Sequence, residues 1–122
     1  MGAREANITT AEAWFKGEDR TIHIDVDQAD GTTPQNMTGW ALTWELLSSN
    51  SGPALLTKTT AAAGISITNG DGTNDRAAVT INDTDTEPLA GGVYYYRLRR
   101  TDAGNEVVLT YGSAVLLESG FQ

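Results

Sequence analysis

Cysteine is absent from this chain of 122 residues, which excludes a disulfide scaffold, a thiolate zinc centre and a cysteine nucleophile together. Histidine is nearly absent: His23 is the only one, which leaves a histidine-built metal site or a Ser-His-Asp triad without support. No run approaches the ~20 apolar residues of a membrane-spanning helix. The opening stretch, MGAREANITTAEAWFKGEDR, lacks the apolar region of a secretory signal. Met1-Gly2 begins like an acylation signal, but Ala6 stands where Ser or Thr is required. Basic residues are scarce, 8 Lys and Arg against 16 Asp and Glu, for a formal charge of −8. Such a surface repels the phosphate backbone whose counterions a nucleic-acid binder must displace. Also missing are a phosphate-cradling glycine loop with its lysine, a GxSxG turn and an HExxH helix. The expectation is one soluble, acidic domain with no membrane segment, no nucleic-acid partner and no enzymatic machinery.

What is present is alternation punctuated by turns. In Arg20-Thr21-Ile22-His23-Ile24-Asp25-Val26-Asp27, the three aliphatic residues share one face. His23, Asp25 and Asp27 share the other, as a half-buried strand requires. Trp40-Ala41-Leu42-Thr43-Trp44-Glu45-Leu46 repeats the pattern with Trp40, Leu42, Trp44 and Leu46 turned to the core. Residues 54–59 and 64–68 are shorter strands, the second pairing Ile65 with Ile67 on one side. Ala77, Val79 and Ile81 alternate in another, and Asp83-Thr84-Asp85-Thr86-Glu87-Pro88 has room for a single helical turn. Residues 93–100 and 106–111 flank Asp102-Ala103-Gly104-Asn105 as a hairpin, and residues 113–118 supply a last strand. Closely spaced strands without a helical period predict an antiparallel sandwich or barrel. The organisation expected is an N-terminal arm or first strand at 1–16, a sandwich at 17–118 and a tail at 119–122.

Five groups of residues stand out. Asn69-x-Asp71-x-Thr73-x-Asp75 places oxygen ligands at alternate positions, like the first half of a calcium loop, but Thr80 stands where such a loop needs its bidentate Glu. Asn, Asp and Gly also build ordinary polar turns, so no metal is assigned and calcium stays a weak candidate. Asp25, Asp27 and Asp30 form a second acidic group, read equally well as a solvated edge. Tyr95, Arg97 and Arg99 alternate away from Tyr94, Tyr96 and Leu98, and Tyr and Arg are favoured at interface centres. Their other reading is cross-strand pairing with Glu106 or another carboxylate of the same sheet. Trp14-Phe15 puts two bulky aromatics side by side, so one of them faces away from the core. Finally, Leu89-Ala90-Gly91-Gly92 precedes a tyrosine-bearing strand, as at the corner of immunoglobulin-type sandwiches where a tyrosine hydroxyl bonds back to upstream backbone. Tyr94 or Tyr95 could fill that role.

Gly17-Glu18-Asp19, Thr38-Gly39-Trp40, Leu56-Thr57-Lys58-Thr59, Gly64-Ile65 and Gly92-Val93-Tyr94-Tyr95-Tyr96 follow one another in a familiar order. Over residues 17–117 the chain resembles small virion proteins of tailed bacteriophages. Its layout is similar to the immunoglobulin-like N-terminal module of phage baseplate upper proteins. The resemblance implies a single immunoglobulin-like antiparallel β-sandwich of about 7–9 strands with a short N-terminal arm. It implies a structural protein of the particle, made in the bacterial cytoplasm, without cofactor. Longer relatives of this kind carry further domains. Because the sequence ends at Gln122, the expected role is decoration or cementing of the capsid exterior; a neck, tail or baseplate adaptor is the alternative. The expected partners are the major capsid protein or other virion proteins, and further copies of the chain itself in a homo-oligomer. Contacts are expected at Trp14, Phe15, Tyr95, Arg97, Arg99 and Phe121, with residues 1–11 and 119–122 ordering on a neighbour. A different class, a carbohydrate-binding adhesion module, would use exposed aromatic rings instead.

Overall fold

The computed structural model describes residues 4–5, 14–28, 30–49 and 52–118. These form nine strands and one helical turn: β1 (Arg4–Glu5), β2 (Trp14–Phe15), β3 (Arg20–Asp25), β4 (Leu42–Leu47), β5 (Ala54–Thr59), β6 (Ile65–Thr68), β7 (Arg76–Ile81), α1 (Asp83–Thr86), β8 (Gly92–Arg100) and β9 (Val107–Leu117). The larger sheet runs β1-β9-β8-β4-β5, with β2 also on β9; the smaller runs β3-β7-β6. The chain is therefore an all-β sandwich. Pairing is antiparallel throughout except where β1 and β2 lie parallel to β9.

The alternation read from sequence sets which faces meet. Ile22 and Ile24 of β3, Ile65 of β6 and Ala77, Val79 and Ile81 of β7 pack against Leu42, Trp44 and Leu46 of β4, Tyr96 and Leu98 of β8, and Leu109, Ala114 and Leu116 of β9. Trp44 is fully buried and its ring lies 6.1 Å from that of Tyr96, tilted by 30°. Two polar atoms are sealed in with it. Among the described residues, the indole N–H groups of Trp14 and Trp44 are buried without a hydrogen-bond partner. Each such group costs about 1–3 kcal/mol, an amount the burial of so large a ring offsets.

Three departures from the sequence reading have plain causes. β4 begins at Leu42; Trp40 stands just before it and still packs against the core as expected, but only half-buried, with the Arg100 guanidinium 3.9 Å from its ring centroid. The expected break after Tyr111 does not occur: β9 is one strand of 11 residues. Gly112 lies opposite Tyr96 on the core side, where a missing side chain makes room for a large ring rather than ending the strand. The sandwich also begins before Gly17, because Trp14 pairs with Leu116 and is wholly buried in the core. The expected contributions of residues 1–3, 6–13 and 119–122, Phe121 included, lie outside the described residues.

The corner does form. The Tyr94 hydroxyl donates to the Ala90 carbonyl at 2.5 Å, and Gly92 takes a φ of +150° that a side chain would resist. Across the sandwich, α1 closes one edge. Lys58 of the edge strand β5 lies opposite Trp44, so its stem points inward, and its ammonium meets Asp85 at 2.7 Å. An inward-pointing charge on an edge strand disfavours pairing with a foreign strand.

Candidate functional site

Residues directly opposite one another in an antiparallel pair share a face. Leu46 lies opposite the buried Tyr96, so its neighbour Leu47, opposite Tyr95, looks out of the sandwich. Successive rows on this outer face read Val93–Val115, Leu47–Tyr95–Ser113, Glu45–Arg97–Tyr111 and Thr43–Arg99–Val108. On the flank, Trp14 and Leu116 are buried, which turns Phe15 and its partner Leu117 to the outer side. One face thus gathers Phe15, Tyr95, Arg97 and Arg99, four of the residues singled out from sequence. Trp14 is not among them. It presents no surface to a partner, and of the two adjacent aromatics Phe15 is the one left partly exposed.

The middle of the face is hollow. Leu47, Tyr95, Tyr96, Arg97, Val108, Tyr111 and Gly112 line an open depression of about 310 Å³. Leu47 is only 2% exposed although it belongs to no part of the main core cluster, whereas Tyr111 is 46% exposed and Val93 58%. Leu47 and Tyr111 were missed by sequence reasoning. The signal for Leu47 was present: two adjacent leucines in a strand cannot share a face, the same argument that applies to Trp14-Phe15. Tyr111 was hidden by the expected break beside it.

Charge is fixed here by one carboxylate. Glu45, whose side chain is 12% exposed, accepts hydrogen bonds at Oε1 from Arg97 Nε at 2.7 Å and Arg99 Nε at 3.1 Å. Cross-strand pairing therefore occurs, with Glu45 as the partner. Glu106 is exposed in the hairpin loop, before β9 begins at Val107. Arg100 falls on the opposite side, held by Asp102 at 2.6 Å. That contact and the Ala41 N–H keep the Asp102 carboxyl below its ordinary range.

The acidic groups are organised differently from a cation site. Asp75 is buried, which would push its carboxyl up. The backbone N–H groups of Gly70, Gly72, Asp75 and Asp71 outweigh that and hold it down. Gly70 N–H reaches Asp75 Oδ1 at 2.7 Å and Asn74 N–H reaches Asn69 Oδ1 at 2.8 Å. Asp71 and Thr73 stay exposed. Asn69, Asp71, Thr73 and Asp75 thus do not converge; two of them organise the turn from within. Asp25 is bound to Arg76 through two hydrogen bonds. Asp30 accepts from Thr32 N, Thr33 N and the Thr33 hydroxyl, which hold its carboxyl down at about 2. Among the described residues, no group of three His, Cys, Asp or Glu side chains is placed to hold a metal ion. His23 is exposed on β3 opposite Ala78. The chain matches no protein-family model and no curated protein sequence.

Proposed function

We propose that this chain is a non-enzymatic structural protein of a tailed-phage particle, attached to the capsid exterior through the outer face of its larger sheet. The carrying observation is the collection of Phe15, Tyr95, Tyr111, Arg97 and Arg99 on that one face, with Tyr95, Arg97 and Tyr111 lining its apolar hollow. Tyr, Phe and Arg are the side chains enriched at interface centres. Two further points support the reading. The strand order β9-β8-β4-β5 over β3-β7-β6 matches the division of strands in an immunoglobulin-type sandwich, the fold that the phage resemblance implies. Asp25, Glu45, Asp75 and Asp85 are each tied into an ion pair or a backbone amide, which fits a structural role. A decoration protein binds repeated sites and so fits a homo-oligomer arranged about symmetry axes.

Hydrogen–deuterium exchange on the chain bound to particles tests the assignment. Backbone amides of β8 and β9 are expected to gain protection on binding while those of β3 and β6 keep their rates. Protection confined to the smaller sheet overturns it. A neck, tail or baseplate adaptor would use the same face at far lower copy number. An adhesion module based on tryptophan has little to work with, because Trp14 and Trp44 are buried and Trp40 is covered by Arg100.

A further inference from the structure

Arg97 and Arg99 are held side by side in an unusual state of charge. Two guanidiniums share one oxygen of one carboxylate, so the cluster keeps a net charge of one positive unit on a chain whose total is −8. Both hydrogen bonds use Nε. Glu45 therefore holds each guanidinium from the side, and the Nη ends form no hydrogen bond among the described residues. The guanidinium side chains are 37% and 36% exposed, within reach of a partner yet fixed from beneath by a side chain that is 12% exposed. A planar guanidinium fixed in this way has lost its rotamer freedom before any ligand arrives, and its remaining N–H donors match the two oxygens of a carboxylate.

The apolar hollow adjoins this pair directly. Arg97 lies in its wall, Tyr111 stands opposite Arg97 across the β8–β9 ladder, and Leu47 and Val108 complete it. Resting on the docking reading above, we infer that this face receives an acidic segment of the partner protein. A Glu or Asp side chain of that segment bridges the Nη groups of Arg97 and Arg99, and a neighbouring aliphatic or aromatic side chain enters the hollow between Tyr95 and Tyr111. Charge complementarity commits the choice of occupant. The bulk of this molecule repels acidic chains, whereas this pair, with two guanidiniums on one carboxylate, attracts them, and orientation follows from the same contrast.

The probe is a short peptide, acetyl-Gly-Glu-Leu-Glu-Gly-amide, compared with its Gln-for-Glu counterpart by NMR on the isotopically labelled chain. The acidic peptide is expected to shift the arginine Nε–H signals and the Val108 and Tyr111 amides saturably. The Gln peptide is expected to bind about tenfold more weakly or worse, the loss of a charge-assisted contact. Tyr111→Ala should weaken both peptides alike. Because removing the guanidiniums alone strands Glu45, the triple variant Glu45→Gln/Arg97→Gln/Arg99→Gln takes the site from one positive charge to none without leaving an unpaired carboxylate; it should lose the preference for the acidic peptide. Equal binding of the two peptides, no saturable shift, or shifts confined to other surfaces overturn the inference. Particle binding separates it from the reading beneath it. Loss with Tyr95→Ala but not with the triple variant overturns the carboxylate receptor alone. Indifference to both overturns the docking face as well.

Discussion

Trp44 occupies the centre of the sandwich with no exposed surface, in contact with Tyr96 from the neighbouring strand. Its truncation removes a large ring from a close-packed site that cannot collapse around the loss. Trp44→Ala is expected to cost about 3–5 kcal/mol, a large part of the stability of a domain this size; a denaturant midpoint that barely moves would contradict the assignment of the core. Ala63 carries the opposite kind of stress. Its φ of +62° lies in the left-handed region, which an L side chain resists. Ala63→Gly is therefore expected to raise stability by about 0.5–1 kcal/mol, seen as a higher urea midpoint at unchanged slope. At this scale the sequence was most legible where alternation was strict. Trp44, Leu46, Ile22 and Ile24 all face inward as their spacing requires. The positive φ of Ala63 was illegible, because nothing in a run of three alanines marks which one turns back. The turn made by Asn69 and Asp75 was misleading for a related reason: a buried carboxylate that accepts backbone N–H groups needs the same residue types as one that binds a cation.

Strands and turns carry the pH response. Asp30, Asp75, Asp85 and Asp102 all have carboxyls held below their ordinary values, by turn hydroxyl and amide donors at Asp30 and by Arg100 at Asp102. At Asp75 and Asp85 burial opposes the effect and is outweighed, by backbone N–H groups in the first case and by Lys58 with Asn82 N–H in the second. A carboxyl whose folded pKa lies below its unfolded one contributes stability above the unfolded value, and that contribution is lost as pH falls through the folded one. Denaturant midpoints are thus expected to hold from neutral pH to about 5 and to fall progressively below about 4, with Asp30 still titrating near pH 2. Midpoints that rise steadily towards pH 3 would show that relief of the acidic self-repulsion dominates instead. Element boundaries were legible in part. The β8–β9 hairpin, the single helical turn after β7 and the corner before β8 follow from their glycines, prolines and tyrosines. Gly112 looked like a break, because a glycine that ends a strand and one that admits a facing ring read alike until the partner strand is placed. The parallel pairing of β1 and β2 with β9 left no periodic trace, since two-residue strands are too short to show one.

Taken as a whole, the molecule has two unlike sides. The smaller sheet shows solvent His23, Asp25 and polar turns, whereas the larger shows the tyrosine, arginine and aliphatic face. Half of this contrast could be read in advance. The strand bearing Tyr95, Arg97 and Arg99 announces its face by alternation, but the hollow beside it depends on Leu47 and Tyr111, which come from strands that meet only in the fold. The proposed setting in a phage particle rests on the resemblance of the sequence and on the composition of this face. The most direct measurement is therefore copy number in purified particles, by quantitative mass spectrometry against the major capsid protein, for the unaltered chain and for Tyr95→Ala/Tyr111→Ala. The account predicts a number comparable with the capsid protein for the first and a loss of about tenfold or more for the second, as for paired interface anchors. A copy number near the rotational order of the tail, or full incorporation of the double variant, would contradict it.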